Sequence, residues 1–397
     1  MPESSFPETL SEAPPRLPLS GLLALACAGF ITILTEALPA GLLPMMSADL
    51  GVSASLIGQL VTLYAIGSLL AAIPLTVATR GWRRRPLLMT AIAGFAVVNA
   101  VTAFSSSYAV ILMARFFAGV FAGLLWALLA GHASRMVAAP LQGRAIAVAM
   151  VGTPLALSLG IPAGTLLGSL LGWRMTFAGM TLLTLALLVW VRVKVPDFAA
   201  QPAERRLPVA RVLAMPGGAV LLVTLGFVLA HNVLYTYIAP LLQGAGMQGQ
   251  LEPVLLLFGI SALLGIWLIG VLIDRWLREM VLATTALFLG AAVVLGMSGQ
   301  SSLPLLFAVA IWGLAFGGAA TLFQTASART AGDSADVAQS MIVTTWNLGI
   351  AGGGLLGGVL LDRAGAGTLA WAVAGLLAIT LWHVWRAKVH GFPATKV

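Results

Sequence analysis

Glu36 sits in ITILTEALPAGLLP (31–44), an apolar run that holds no other charge. A charged side chain at the centre of a bilayer costs about 2.5–3.5 kcal/mol or more. Burial without a partner favours the protonated carboxyl, so a group placed there can load and release protons as its access alternates between two sides. Arg115, in MARFFAGVFAG (113–123), is the basic residue placed deep in an apolar run, and it is the natural partner of Glu36. If the two pair, the arginine favours the ionised carboxylate, and proton binding competes with the ion pair. A static brace holding the first helix, or direct recognition of a polar substrate by Glu36, remain alternatives. Pro39 removes a backbone donor and frees the Thr35 carbonyl beside Glu36, which either loosens the helix or fixes a kink. His231 is either a satisfied structural group or a proton carrier. Asn347 has an amide suited to a hydroxylated ligand or to a bond between helices. Trp126 and Trp346 could stack on a ligand ring or simply pack, and Gln324 reads as a gate or packing residue.

These residues need helices that hold them inside a membrane, and the composition supplies them. The 397 residues are 60% hydrophobic and 9% charged, more apolar surface than a water-soluble chain of this length can hide. Apolar runs of about 18 or more residues mark transmembrane helices. They give twelve spans: 20–45, 54–79, 86–104, 108–134, 143–170, 173–194, 215–243, 251–274, 280–297, 302–326, 336–361 and 367–388. The expected division is a disordered tail over 1–19, one six-helix bundle over 20–194, a polar link over 195–214 and a second bundle over 215–397. The net charge of +8 is a topology signal, not a nucleic-acid footprint, because the basic residues fall between apolar runs. Apart from Arg115, and from Arg174 and Arg363 at helix edges, they all collect on one side, as in RGWRRRP (80–86). The positive-inside rule makes that side the cytoplasm, with both termini there. On this reading Glu36 and Arg115 differ in depth by about 3 Å at the helical rise per residue. The one cysteine, Cys27, excludes an internal disulfide. ALAC (24–27) only faintly resembles a lipoprotein box, and the apolar run continues past it, so this segment is read as the first helix.

The chain repeats itself. GIPAGTLLGSLLGW (160–173) aligns without gaps with GIAGGGLLGGVLLD (349–362), and Gly119/Gly123 in span four find a counterpart in Gly313/Gly317 in span ten. Glycines four apart let helix backbones approach closely, and parallel repeats of this kind characterise alternating-access transporters. Two duplicated halves argue against a channel, which needs a repeated filter or a charged ring. An intramembrane enzyme would need paired aspartates, His-Glu-x-x-His, or a serine with a nearby base, and none is found. No cofactor or metal is expected.

At this point the sequence resembles the major facilitator superfamily, in particular its twelve-span drug:proton antiporters. GVLIDRWLRE (270–279) matches that group's loop after span eight through Gly270, Asp274 and Arg275, while the loop after span two has Thr79 and Leu75 where aspartate and glycine are expected. Span five is a loose version of the antiporter Gly-Pro motif through Gly160, Pro162, Gly164 and Gly168. TEALPAGLLP, LGWRMTF (171–177), HNVLYTYIAP (231–240) and WNLGIAGGGLLGG (346–358) are closest to bacterial sugar, arabinose and purine-nucleoside efflux permeases. Relatives often end the span-seven segment with Glu-Pro; here it is Ala239-Pro240, so a second intramembrane carboxylate is missing.

The resemblance implies an all-α integral membrane protein with twelve transmembrane helices in two pseudo-symmetric six-helix bundles. Spans one, four, seven and ten would line a midplane cavity. It also implies a proton-coupled exporter of sugars, nucleosides or similar polar metabolites in a bacterial inner membrane. A hydrophobic drug is the main variant, with Phe30, Met45 and Met46 leaving room for an apolar lining, and uncoupled transport is the other. Its partners would be the small-molecule substrate, protons and the lipid bilayer, with no nucleic acid, and the chain would work as a monomer. Glu36 and Arg115 would couple protons, and His231, Asn232, Tyr235, Tyr237 and Asn347 would contact substrate. Asp274 with Arg275 and Gly270, and Asp362 with Arg363, would act as conformational latches.

Overall fold

The computed structural model describes residues 17–79, 81–138, 141–199, 218–299, 301–331, 335–387 and 392. Most of the expected tail (1–16) and link (200–214) lies outside them. Among the described residues twelve helices are long and apolar enough to cross a membrane. They are α1 (Leu19–Gly41), α2 (Ala54–Ala72), α3 (Arg84–Phe104), α4 (Tyr108–Arg135), α5 (Arg144–Leu171), α6 (Trp173–Lys194), α7 (Gly218–Thr236), α8 (Gln248–Ile273), α9 (Arg275–Met297), α10 (Ser302–Ser327), α11 (Met341–Ala364) and α12 (Gly367–Arg386). Successive helices alternate in direction. The starts of the odd helices and the ends of the even ones therefore share one face of the bundle, here the terminal face, and the opposite face is the far face.

Several helices break where the sequence removes a backbone donor. α1 ends at Gly41, two residues after Pro39, and a second helix (Leu43–Leu50) follows directly. α7 stops at Thr236, where Pro240 cannot return an N–H; Tyr237 (φ −113°, ψ 27°) leaves the helix and Ile238–Gly244 resumes it. α5 is interrupted by a π-turn at Ala156–Gly160, immediately before Pro162. The connection between spans eight and nine is tighter than expected: two helices abut at Trp276 (φ −128°, ψ 32°), where the backbone leaves helical geometry, and α9 begins at Arg275 instead of residue 280. α5 passes to α6 through Gly172 alone, at φ 87°, a conformation open to glycine.

The glycine pairs do the same work in both halves. Side chains at Gly119 and Gly123 would run into the α2 backbone at Tyr64 and Ser68. Side chains at Gly313 and Gly317 would run into the α8 backbone at Phe258 and Ala262. α4 therefore crosses α2 as α10 crosses α8, at a backbone separation that only hydrogen as a side chain permits. The first six helices pack mainly on one another, as do the last six, and they meet where α2 faces α11 and α5 faces α8. At the second crossing Gly259 lies on the Ser158 backbone, inside the π-turn.

A second repeat, absent from the sequence reading, marks the terminal face. RVKVPDFAA (192–200) and RAKVHGFPA (386–394) follow the sixth helix of each half. In the first, the Arg84 N–H donates to Phe198 O (3.0 Å), the Arg85 guanidinium to Val195 O (3.4 Å), and Phe198 packs edge-on to His132. In the second, Arg278 donates to Phe392 O (2.8 Å) and Trp385 O (3.0 Å), and Phe392 is fully buried.

Candidate functional site

α1 touches α2–α6 of its own half and α7 and α8 of the other. Most of it is enclosed, yet Cys27, Phe30, Ile33, Glu36 and Ala37 stay partly exposed. Their three- to four-residue spacing places them on one helix face.

The expected ion pair between Glu36 and Arg115 is not formed. Among the described residues Glu36 has no ion pair and no hydrogen bond. Arg115 is fully buried and turns its guanidinium elsewhere. Nη1 donates to Thr35 O at 2.5 Å, and Nη2 to Asn99 Oδ1 at 3.3 Å and Thr102 Oγ1 at 3.1 Å. Its carbon stands 4.9 Å from the Phe177 ring centre. The reason lies in Pro39. An α-helix would satisfy the Thr35 carbonyl with the N–H of residue 39, which proline lacks. Arg115 supplies the missing donor one residue away from the carboxyl it was expected to hold. Asn99 Nδ2 binds Thr35 Oγ1 (3.1 Å), and Tyr64 donates to Thr32 O (3.1 Å) and stands within electrostatic reach of both Glu36 and Arg115. Tyr64, Asn99, Thr102 and Phe177 escaped the sequence reading. The signal was present for two of them: Asn99 and Thr102 are polar, three apart in an apolar run, and so share a helix face.

The four residues expected to meet substrate from span seven do not share a surface. His231 and Tyr235, four apart, stack at 5.0 Å and lie in an aromatic cluster with Phe258, Trp312 and Phe316. Trp312 Nε1–H points at His231 Nδ1 (3.2 Å). An indole nitrogen can only donate, so Nδ1 accepts and the ring hydrogen sits on Nε2. Asn232 turns to α11, against Gly353, and donates to Val228 O of its own helix (2.9 Å). Tyr237 lies past the helix break and reaches both halves at the far face. Its hydroxyl donates to Gly354 O (2.7 Å) and lies 3.4 Å from Ser55 O and from Gln59 Nε2. Asn347 donates to Val343 O of its own helix (3.0 Å), and neighbouring Trp346 is half-buried against Phe316, 6.1 Å centre to centre. Gln324 is exposed.

The latch residues differ among themselves. Asp362 and Arg363 are exposed at the end of α11 and form no ion pair among the described residues; neighbours in a helix point about 100° apart and do not face each other. Arg275 is exposed and Gly270 has open space around it, while the side chain of Asp274 lies outside the described residues. The far-face ion pair is a different one. Arg174 meets Asp49 at 2.9 Å, also donates to Ala103 O (3.2 Å) and Ser105 O, and covers the Trp173 ring at 4.3 Å. On the terminal face Arg83 meets Asp197 at 2.6 Å. Burial opposes ionisation of Asp197, but the Arg85 N–H, the Arg83 hydrogen bond and the charges of Arg83 and Arg85 outweigh it and hold the carboxyl below the usual range.

Residues 25–353 match the family described as the Major Facilitator Superfamily. A chloramphenicol efflux pump of Mycobacterium tuberculosis (strain CDC 1551 / Oshkosh) is 32% identical over 374 residues, which cover 91% of this chain and 90% of that one. A purine ribonucleoside efflux pump, NepI, of Shigella dysenteriae serotype 1 (strain Sd197) is 28% identical, over 90% of this chain and 91% of that one. The solved structure of the nucleoside transporter NupG superposes with a TM-score of 0.72 at 13% identity, covering 93% of this chain and 99% of that one. With twelve spanning helices and a match over most of its length, the chain belongs to the Major Facilitator Superfamily: it is a multi-pass membrane transporter and not an enzyme.

Proposed function

We propose that the chain exports small molecules in exchange for protons, by alternating access, with Glu36 as the proton carrier. The observation behind this reading is Glu36 itself. Among the described residues it is an acidic group with no ion pair and no hydrogen bond, on the partly exposed face of α1. A carboxylate left unpaired in such surroundings is costly, so this arrangement suits the neutral form. Arg115 acts as a positioning residue: by gripping Thr35 O it holds the α1 backbone beside the carboxyl. The positive-inside rule puts the terminal face and both termini in the cytoplasm of a bacterial inner membrane. On that orientation the Tyr237 contacts to Ser55, Gln59 and Gly354 close the outside, and the two six-helix halves rock about them. In the outward state a proton from outside enters on Glu36 as substrate leaves. In the inward state the proton passes to the cytoplasm and substrate binds. Both halves lie in one chain, so a monomer suffices.

Nucleosides and related polar metabolites are the leading substrates, supported by the purine ribonucleoside pump; a sugar has no support among the relatives named above. Antibiotic export is the second reading, supported by the chloramphenicol pump at 32% identity. Energised everted vesicles with a pH-sensitive dye separate these. Proton release on adding a nucleoside or chloramphenicol identifies the substrate class and the coupling together. Transport without proton movement would replace antiport with facilitated exchange.

A further inference from the structure

Tyr235 is 4% exposed, and its hydroxyl is buried without a hydrogen-bond partner. His231, one helical turn away, is 5% exposed; its Nδ1 is taken by Trp312, and the hydrogen on Nε2 meets no acceptor among the described residues. Two donors thus stand side by side on α7 with nothing to bind. For the fully buried Tyr235 hydroxyl the missing bond costs about 1–3 kcal/mol, and most such groups have a partner in some state of the protein. The walls are aromatic. Phe316 stacks on His231 at 3.4 Å and 8°, and Tyr235 packs on Phe258 at 5.3 Å. Phe316 carries the cluster on to Trp346, which packs against a second apolar cluster that joins Val61 and Ala65 of the other half to Val228, Ile350 and Ala351. The cluster therefore reaches the boundary between the halves, where the transport reading puts the substrate.

We propose that this wall seats a planar aromatic ring carrying hydrogen-bond acceptors. The ring lies against the half-exposed Trp346 at the end of the cluster, and its acceptors take the Tyr235 O–H and the His231 Nε2–H. The inference rests on the transport reading and narrows it: recognition is of the ring, not of a sugar alone. Donors in an aromatic pocket discriminate well, because an analogue without the acceptor leaves them unpaired, whereas hydroxyls without a ring forfeit the stacking.

The test uses the purified full-length protein with inosine, chloramphenicol and D-ribose as probes, binding being read by competition and by tryptophan fluorescence. At least one ring compound should bind, and ribose at the same concentration should not displace it. Tyr235→Phe should weaken ring binding about tenfold, the worth of one good hydrogen bond, while the unfolding temperature of the free protein stays level or rises. A hydroxyl that served structure through a buried water would show the reverse: lower stability and unchanged binding. That result would overturn the proposal, as would equal competition by ribose or no binding of either ring compound. Trp346→Leu gives a second reading, since it removes ring surface without touching the donors; unchanged ring binding there would also count against the seat. Vesicles that move protons with ribose but not with ring compounds would sink this inference and leave proton-coupled export standing. Full ring binding with no proton movement would do the opposite.

Discussion

Pro39 takes an N–H from the Thr35 carbonyl and Arg115 gives one back, across a distance of 80 residues in sequence. The freed carbonyl was legible in the sequence, and so were the matching depths of Glu36 and Arg115. Their pairing was not, because depth says nothing about which way a side chain turns around its helix axis, and because Asn99 and Thr102 offered the guanidinium a better-shaped set of acceptors. Arginine's planar fork can serve three acceptors at once, whereas an ammonium is a compact point charge. Arg115→Lys should therefore lower the unfolding free energy by about 1–3 kcal/mol, read by thermal or denaturant unfolding of the purified protein. Adding Pro39→Ala restores the helical donor to Thr35, so the loss caused by Arg115→Lys should shrink by about 1 kcal/mol in that background. Equal losses in both backgrounds would show that Arg115 does not compensate for the proline.

Span seven shows how four polar residues close in sequence come to lie on different surfaces. His231 and Tyr235 are four apart and share a face; Asn232 looks to α11; Tyr237 stands beyond the break that Pro240 imposes. A family segment names residues but not their azimuths, and a proline break resets the azimuth after it. Tyr237 becomes a strap between the halves. Tyr237→Phe loses its bond to Gly354 O and should favour the state open at the far face. A single cysteine at position 62, buried in the wild type, should then react faster with a membrane-impermeant maleimide in a Cys27→Ser background. Unchanged labelling would remove Tyr237 from the gate. The short segment after α6 makes a pH-dependent contribution. Asp197 is held below the usual carboxylate range, so its contribution is complete above about pH 4 and fades as pH falls through the depressed value. Arg83 is mostly exposed, so the effect is about 0.5 kcal/mol or less. Asp197→Asn should flatten that part of the acid limb of an unfolding-temperature profile and leave the neutral limb unaltered in slope.

For the whole molecule, the spans, their number and the internal repeat were readable because hydropathy and glycine spacing are one-dimensional signals. The glycine pairs Gly119/Gly123 and Gly313/Gly317 show how little was needed: each permits one close crossing, and the same crossing recurs in the other half. The anchors at Phe198 and Phe392 carry no hydropathy signal, because their repeat lies in polar segments after the apolar runs. Joined across α2–α11 and α5–α8, the halves meet along two equivalent seams, which is the geometry a rocking carrier needs. The central claim is that Glu36 carries the proton that drives this motion. The direct test is proteoliposomes holding wild type or Glu36→Gln, each assayed for substrate counterflow without a pH gradient and for uptake driven by one. The account predicts that Glu36→Gln keeps counterflow and loses gradient-driven uptake. Retention of gradient-driven uptake in Glu36→Gln would contradict it.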